Sequence, residues 1–257
     1  MQSAYLLVFH GSRDPRPKAS VEMLAELVSQ SQAQAATAHE LTASPVAVQT
    51  RLKPMVGTAS LELSPVPLHK QLKEFGDRAL ACGYNSVQVV PLFLLPGVHV
   101  MEDIPAEVAL AQQALGQDVK IDLRPYLGTH AGLKDLLATQ LFATKAEAWI
   151  ILAHGSSRAG SKQPVEAMAR ALSTGVVVAA YWAAAPRLES RVKELVSAGY
   201  RQIGIMPYFL FAGGITDAIA QSVDRLQGQF PSEELQLAEP LGASAELADL
   251  IVDLMEK

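Results

Sequence analysis

The chain has 257 residues, of which 49% are hydrophobic and 18% charged, and its formal net charge is −5. This composition is typical of a globular protein, and the acidic balance argues against a nucleic acid as a main partner, because phosphate binding requires a net basic face. The single cysteine, Cys82, excludes an intrachain disulfide and a thiolate zinc site.

Two segments are candidates for a signal peptide or a membrane span: the amino-terminal segment and the most apolar internal segment. MQSAYLLVFHG has no basic n-region, and its apolar run is too short for a signal peptide. Residues 87–101 are interrupted by polar residues, prolines and a glycine, and they fall short of the roughly 20 apolar residues of a membrane span. We therefore expect a soluble, cytoplasmic protein with no membrane partner.

The predicted elements follow a regular order along the chain. A buried strand at residues 4–9 leads into a turn with the sequence HGSRDPR and a helix that includes residues 19–30. Apolar residues at helical spacing predict a helix over 68–83, ended by a glycine, and a β-rich run follows at 87–95. An aliphatic run at 149–153 then leads into a similar turn, HGSSRAG.

Four blocks of the first half recur in the same order in the second half, which indicates an internal duplication. Besides the two His-Gly-Ser turns, the pairs are 58–75 with 179–195, 87–99 with 203–215, and 125–137 with 239–251. The spacing of the pairs places an insertion in the first half, within residues 29–57. We expect a longer helix end and a loop there.

Strands that alternate with helices predict parallel sheets covered by helices. We therefore predict an α/β protein with two tandem domains, residues 1–141 and 142–257. Each domain is expected to hold a parallel sheet flanked by helices. A pseudo-twofold relation between them would create a central cleft, which is a usual place for a ligand.

Each His-Gly-Ser turn follows a strand and opens a helix, so it presents free backbone N–H groups and the positive end of a helix dipole. Two interpretations are open: a pocket for carboxylates or phosphates, or a turn that merely caps its helix. Capping is favoured for a single motif, but the repetition weakens that interpretation. The candidate anion-binding residues are Gly11, Ser12, Arg13, Gly155, Ser156 and Arg158.

His10 and His99 each end a strand-like run, and Glu62 lies just before the intervening helix. Because neighbouring parallel strands end at the same sheet edge, these side chains can meet there. Two imidazoles and one carboxylate suit Fe(II), Co(II) or Ni(II) and leave coordination positions open. After His99, the pair Glu102-Asp103 either orients that imidazole or begins a helix, and we favour the helix start.

The second half keeps one residue of this triad, since the corresponding pairs are His10/His154, Glu62/Ala183 and His99/Ile215. We therefore expect a metal site in the first half only. The remaining histidine of the second half is expected to line the cavity or to cap its turn.

The ordered motifs HGSRDPR, LELSP, VVPLFLLPGVHVMEDIP and LGTH resemble the CbiX/SirB group of class II tetrapyrrole chelatases over nearly the whole chain. The resemblance is to the long form, with two tandem chelatase-like domains. It implies ATP-independent insertion of Fe(II) or Co(II) into sirohydrochlorin, for sirohaem or cobalamin biosynthesis, with no cofactor beyond the metal substrate. At matching positions it implies metal binding and catalysis by His10, Glu62 and His99.

Sirohydrochlorin carries many carboxylates, which an acidic chain can hold through its turn amides and arginines. We expect the ring to be held by Gly11, Ser12, Arg13, His154, Gly155, Ser156 and Arg158. Iron is slightly favoured over cobalt, and nickel is an alternative ion in vitro. A tetrapyrrole or metal carrier is the alternative function. A hydrolase or phosphatase is disfavoured, because no nucleophile motif is present.

Overall fold

The computed structural model describes residues 3–40, 54–142, 145–156, 158, 160–172 and 175–256. The described strands are β1 Ser3–Phe9, β2 Val56–Ser60, β3 Ser86–Pro91, β4 Lys120–Leu123, β5 Ala148–Ala153, β6 Val176–Tyr181, β7 Gln202–Pro207 and β8 Glu234–Leu237. The described helices are α1 Pro15–Glu40, α2 Leu68–Ala81, α3 Ile104–Leu115, α4 Leu133–Phe142, α5 Gln163–Ala171, α6 Leu188–Ser197, α7 Gly214–Gln229 and α8 Ala245–Glu256.

The chain divides into two compact units, Met1–His130 with Ala243–Lys257 and Ala131–Gly242. The first unit contains a parallel sheet with the order β2-β1-β3-β4, and the second contains a parallel sheet with the order β6-β5-β7-β8. The central strands β1 and β5 are almost wholly buried, as expected of aliphatic runs covered on both faces. These sheets confirm the predicted α/β class, whereas the cleft predicted between the halves stays a prediction.

The duplication extends to individual hydrogen bonds. Gln112 near the end of α3 accepts the Ile121 N–H, and Gln227 near the end of α7 accepts the Leu235 N–H. Each glutamine also donates to two carbonyls of the loop that follows its helix. The same side chain therefore closes the same helix-to-strand connection in both halves.

The last helix of each half belongs to the other half's unit. Helix α8 packs against α1, and the Arg124 Nε donates to the Leu254 carbonyl at 3.0 Å. His130 Nε2 also lies 2.6 Å from Asp253 Oδ2. Helix α4, the counterpart of α8, lies in the second unit. The predicted boundary at 141/142 therefore separates the two sheets but not the two units, because the repeat pairs α4 with α8 without revealing which sheet each covers.

The insertion predicted within residues 29–57 is partly described. Helix α1 runs over 26 residues to Glu40, against 9 residues for its counterpart α5, which confirms the longer helix end. Residues 41–53, where the loop is predicted, lie outside the described residues. Among the helices of the described chain, none is both long and apolar enough to cross a lipid bilayer.

Candidate metal centre

Three side chains converge at the carboxyl edge of the first sheet. His10 follows β1, Glu62 lies in the loop after β2, and His99 begins a π-helical turn, His99–Asp103, after β3. Because β1 is hydrogen-bonded to both β2 and β3, the three strand ends adjoin. One potential ligand atom of each side chain lies within 4.8 Å of the others. Over the described ranges, no other three His, Cys, Asp or Glu side chains are grouped in this way.

The two imidazoles meet edge to face. Their ring centroids are 4.8 Å apart at an interplanar angle of 87°. The carboxylate Oε1 of Glu62 lies 3.9 Å from His99 Nδ1, on an exposed side of the group. The half-buried ring of Phe93 lies 6.3 Å from the His10 ring and 6.4 Å from the His99 ring. Phe93 therefore supports both histidines, a role that its position in a long apolar run concealed.

Both histidines have a hydrogen-bond partner at Nδ1. His99 Nδ1 lies 2.8 Å from Asp103 Oδ2, and His10 Nδ1 lies 3.3 Å from the Gly11 carbonyl oxygen. A proton on Nδ1 that is donated to these acceptors leaves the Nε2 lone pair available for a metal ion. Asp103 makes no side-chain hydrogen bond to the start of α3. The pair Glu102-Asp103 does lie at the start of a helix, with Asp103 directly before α3, as the favoured interpretation expected. The Asp103 carboxylate is in addition the partner that orients His99.

The π-helical turn marks a one-residue difference between the halves. Leu92 and Tyr208 donate their N–H groups to matching positions of β1 and β5. From these points, Gln112 lies one residue farther along the chain than its counterpart Gln227. The turn absorbs that residue, since its closing hydrogen bond spans five residues back to the His99 carbonyl. Helix α7 begins without such a turn, so the widened helix entry belongs to the half with the triad.

The backbone of Glu62 is hydrogen-bonded directly to His10, the residue that follows β1. Its N–H donates to the His10 carbonyl at 2.9 Å. The intervening Gly11 has φ +99°, and a Cβ at that position would lie 2.1 Å from the Glu62 carbonyl oxygen. Only glycine combines this backbone conformation with so close an approach. Gly11 therefore sets the spacing between two members of the triad.

The loop that carries Glu62 is held from α2. Gln71 Nε2 donates to the carbonyls of Ser60 at 2.9 Å and Val66 at 2.8 Å, which lie at the two ends of the loop. Within it, Leu63 has φ +58°, the one non-glycine residue of the described chain with positive φ. Such a conformation is unusual for a bulky side chain and is typical of a constrained functional loop.

The first His-Gly-Ser turn caps its own helix. Ser12 Oγ accepts the Asp14 N–H, and Asp14 Oδ1 accepts the Arg16 N–H, each at 3.0 Å. The Arg16 guanidinium also binds both Asp14 oxygens and, by these hydrogen bonds, holds the pKa of that carboxyl below its usual value. The start of α1 is thus occupied by the chain's own carboxylate. Arg13 is exposed beside this turn, and a ring-holding role for Gly11, Ser12 and Arg13 stays a prediction.

The second unit reproduces the backbone of the centre but lacks two of its three potential ligands. The Ala183 N–H donates to the His154 carbonyl at 2.8 Å, as Glu62 does to His10, so Ala183 stands where the carboxylate would be. Ile215 lies at the start of α7. Ser156 Oγ caps its turn by accepting the Arg158 N–H. The residues of this turn whose ring-holding role stays a prediction are His154, Gly155, Ser156 and Arg158.

A family comparison identifies the group to which this architecture belongs. The CbiX family model matches residues 4–144 and 148–257. The chain belongs to the CbiX family. It is 26% identical over 194 residues to the sirohydrochlorin cobaltochelatase of Priestia megaterium, covering 70% of this chain and 63% of that protein. It is 25% identical over 179 residues to the sirohydrochlorin ferrochelatase of the same organism, covering 66% of each. The chain thus spans less than two thirds of the length of both relatives.

Solved structures of related proteins share the fold of this CbiX-family chain. SirB from Bacillus subtilis with Fe3+ is similar with a TM-score of 0.72 and 22% identity, covering 100% of this chain and 95% of that chain. SirB from Bacillus subtilis subspecies spizizenii in complex with cobalt is similar with a TM-score of 0.71 and 21% identity, covering 100% and 94%. These likenesses confirm the fold predicted from the motifs, with two chelatase-like halves.

Proposed function

We propose that this chain is a sirohydrochlorin chelatase, which inserts a divalent metal ion into the ring without ATP and without a resident cofactor. The observation that carries the proposal is the convergence of His10, Glu62 and His99 within 4.8 Å at the sheet edge of a CbiX-family chain. Relatives of this chain are named for the insertion of cobalt and of iron. The metal ion and the tetrapyrrole are both substrates.

The donor set suits delivery of an ion rather than its permanent retention. Two imidazole nitrogens and one carboxylate leave several coordination positions open, into which ring nitrogens can enter. The carboxylates of Glu62 and Asp103 are 48% and 44% exposed, so the ion can reach the centre from solvent and is attracted by two negative charges.

Metallation replaces two N–H bonds of the ring with nitrogen–metal bonds and releases two protons. The groups closest to the ion are the natural acceptors. As an imidazole gives up the ion, its nitrogen lone pair becomes free to take a proton, and the Glu62 carboxylate can accept another. Because the ion and the ring are held together before reaction, proximity supplies a large part of the rate acceleration.

We propose Fe(II) as the physiological ion, with Co(II) as the close alternative and Ni(II) accepted in vitro. Imidazole and carboxylate ligands bind all three, so the choice depends on relative rates. Iron would place the enzyme in sirohaem biosynthesis, and cobalt would place it in cobalamin biosynthesis.

The test is an anaerobic mixture of the purified protein, sirohydrochlorin and Fe(II) or Co(II), followed by visible absorption against a reaction without protein. We expect acceleration with both ions. Variants His10→Ala and His99→Ala are expected to lose most of the rate, whereas the control His69→Ala, which removes a histidine bonded to Glu107 outside the triad, keeps it. Binding of sirohydrochlorin and metal without acceleration by either ion would reject the enzyme and leave a carrier.

A further inference from the structure

Several exposed apolar residues lie close in sequence to the ligands of the metal centre. The exposed large apolar residues of the first unit, within the described chain, are Met23, Leu63, Val66, Leu80, Val98, Met101 and Leu110. Four of the seven lie within four residues of Glu62 or His99. We call this group, Leu63, Val66, Val98 and Met101, the apolar rim.

The two most exposed members of the rim, Leu63 and Met101, lie one and two residues from a ligand along the chain. Leu63 is 57% exposed and directly follows Glu62, so their Cα atoms are about 3.8 Å apart. Met101 is 63% exposed and lies in the same π-helical turn as His99. The rim therefore belongs to the two chain segments, after β2 and after β3, that carry Glu62 and His99.

The conformation of Leu63 does not favour folding. Its φ of +58° is unfavourable for a bulky residue, and its exposed side chain gains little from burial. Glycine or asparagine would adopt this backbone at lower free energy. The stability of the chain therefore does not account for a leucine at this position.

We propose that the apolar rim contacts the face of the tetrapyrrole ring, with Leu63 as its principal contact. The inference rests on the proposed function, in which the ion passes from the triad to the centre of the ring. An ion held by His10, Glu62 and His99 can reach the ring nitrogens only if a ring face lies over the triad. That face is apolar, whereas the carboxylates lie at the ring's edge, so the residues bordering the triad meet the apolar face.

In this proposal the two parts of the site have different roles. The rim binds the flat ring and excludes water from the centre, and the triad binds the ion. Loss of a rim side chain should then weaken binding of the ring and leave binding of the ion unchanged. Because Leu63 carries backbone strain, its replacement by glycine should also leave the chain at least as stable.

The experiment compares Leu63→Gly with the wild type in three measurements: the thermal midpoint of unfolding, the Kd for Co(II) alone, and the Kd for sirohydrochlorin in the absence of metal. We expect an equal or higher midpoint, a Co(II) Kd within about twofold, and a sirohydrochlorin Kd raised about tenfold. Met101→Ser is a second variant outside the strained loop and should raise the same Kd. The control Leu80→Ala, an exposed residue of α2, should change none of the three.

The outcomes separate this proposal from the proposed function. Wild-type affinity for sirohydrochlorin in both rim variants would overturn the proposed role of the rim. A change of oligomeric state without a change in ring binding would also overturn it, since the rim would then contact a second copy of the chain. A wild-type protein that binds no sirohydrochlorin would overturn the proposed function itself.

Discussion

Asp103 offers the sharpest test of how the centre is built. Its carboxylate lies 2.8 Å from His99 Nδ1 and makes no cap to α3, so Asp103→Ala removes the acceptor without removing a ligand. Loss of such a partner typically lowers metal affinity by about 10–100-fold. The Asp103 side chain is 44% exposed, and water can replace part of the hydrogen bond, so we expect the lower end, about tenfold or about 1.4 kcal/mol.

The conservative variant Asp103→Asn is expected to cause a smaller loss of Co(II) affinity than Asp103→Ala. Asp103→Asn keeps the shape and one oxygen acceptor but loses the charge, and charge-assisted hydrogen bonds are roughly twice as strong as neutral ones. We therefore expect a loss of Co(II) affinity of about threefold. The control is Glu102→Gln, which removes one negative charge from the same turn and leaves the His99 hydrogen bond in place.

The assay is a titration with Co(II), followed by the visible absorption bands of the protein-bound ion. Two-bond 1H–15N correlation spectra of the metal-free protein report which nitrogen of His99 carries the proton. The wild type should show the Nδ1–H form, and Asp103→Ala should lose that preference. Co(II) affinity within twofold of the wild type in Asp103→Ala, or an equal loss in Glu102→Gln, would refute the orienting role.

Three further predictions follow from the same structure. The rate of metal insertion should fall by at least about a hundredfold in His10→Ala and much less in His154→Ala, because only the former belongs to a triad; equal losses in this assay would contradict the comparison of the two halves. Gly11→Ala should lower the free energy of unfolding by about 2–4 kcal/mol in urea titrations, since its Cβ would meet a carbonyl at 2.1 Å, whereas Gly97→Ala, with nothing within 4 Å, should cost much less. Glu147 accepts two backbone N–H groups at the start of β7, which lower the pKa of its carboxyl. Its contribution to stability is present above the ordinary glutamate pKa and is lost as the pH falls through the lowered folded value. Glu147→Gln should therefore give a flatter acid limb in urea midpoints measured from about pH 3 to 7, and a limb as steep as that of the wild type would contradict this account.

Much of the fold could be predicted from local patterns. Aliphatic runs between glycine turns fixed the positions of β1, β3 and β5, and helical spacing located α2 within two residues of its observed end. The duplication was visible because four blocks recur in order, and the structure repeats it down to the glutamines Gln112 and Gln227. Strand β3 ended earlier than the run 87–95 suggested, at Pro91, after which the chain leaves the sheet.

The three residues of the candidate centre could be predicted from the sequence, but the packing that holds their side chains in place could not. His10, Glu62 and His99 follow consecutive strands, and parallel strands bring their ends to one edge, so order in the sequence implies proximity. The distances, the edge-to-face imidazoles and the ring of Phe93 beneath them depend on side-chain packing that no spacing encodes.

The α/β class, the duplication and the half that keeps three potential ligands could all be predicted without coordinates, because each follows from residue type and order along the chain. The exchange of α4 and α8 between the units and the hydrogen-bond partner of His99 became visible only in the folded chain. The same is true of Asp14, which fills the start of α1. These depend on where segments distant in sequence pack, and on which of several nearby acceptors a donor reaches.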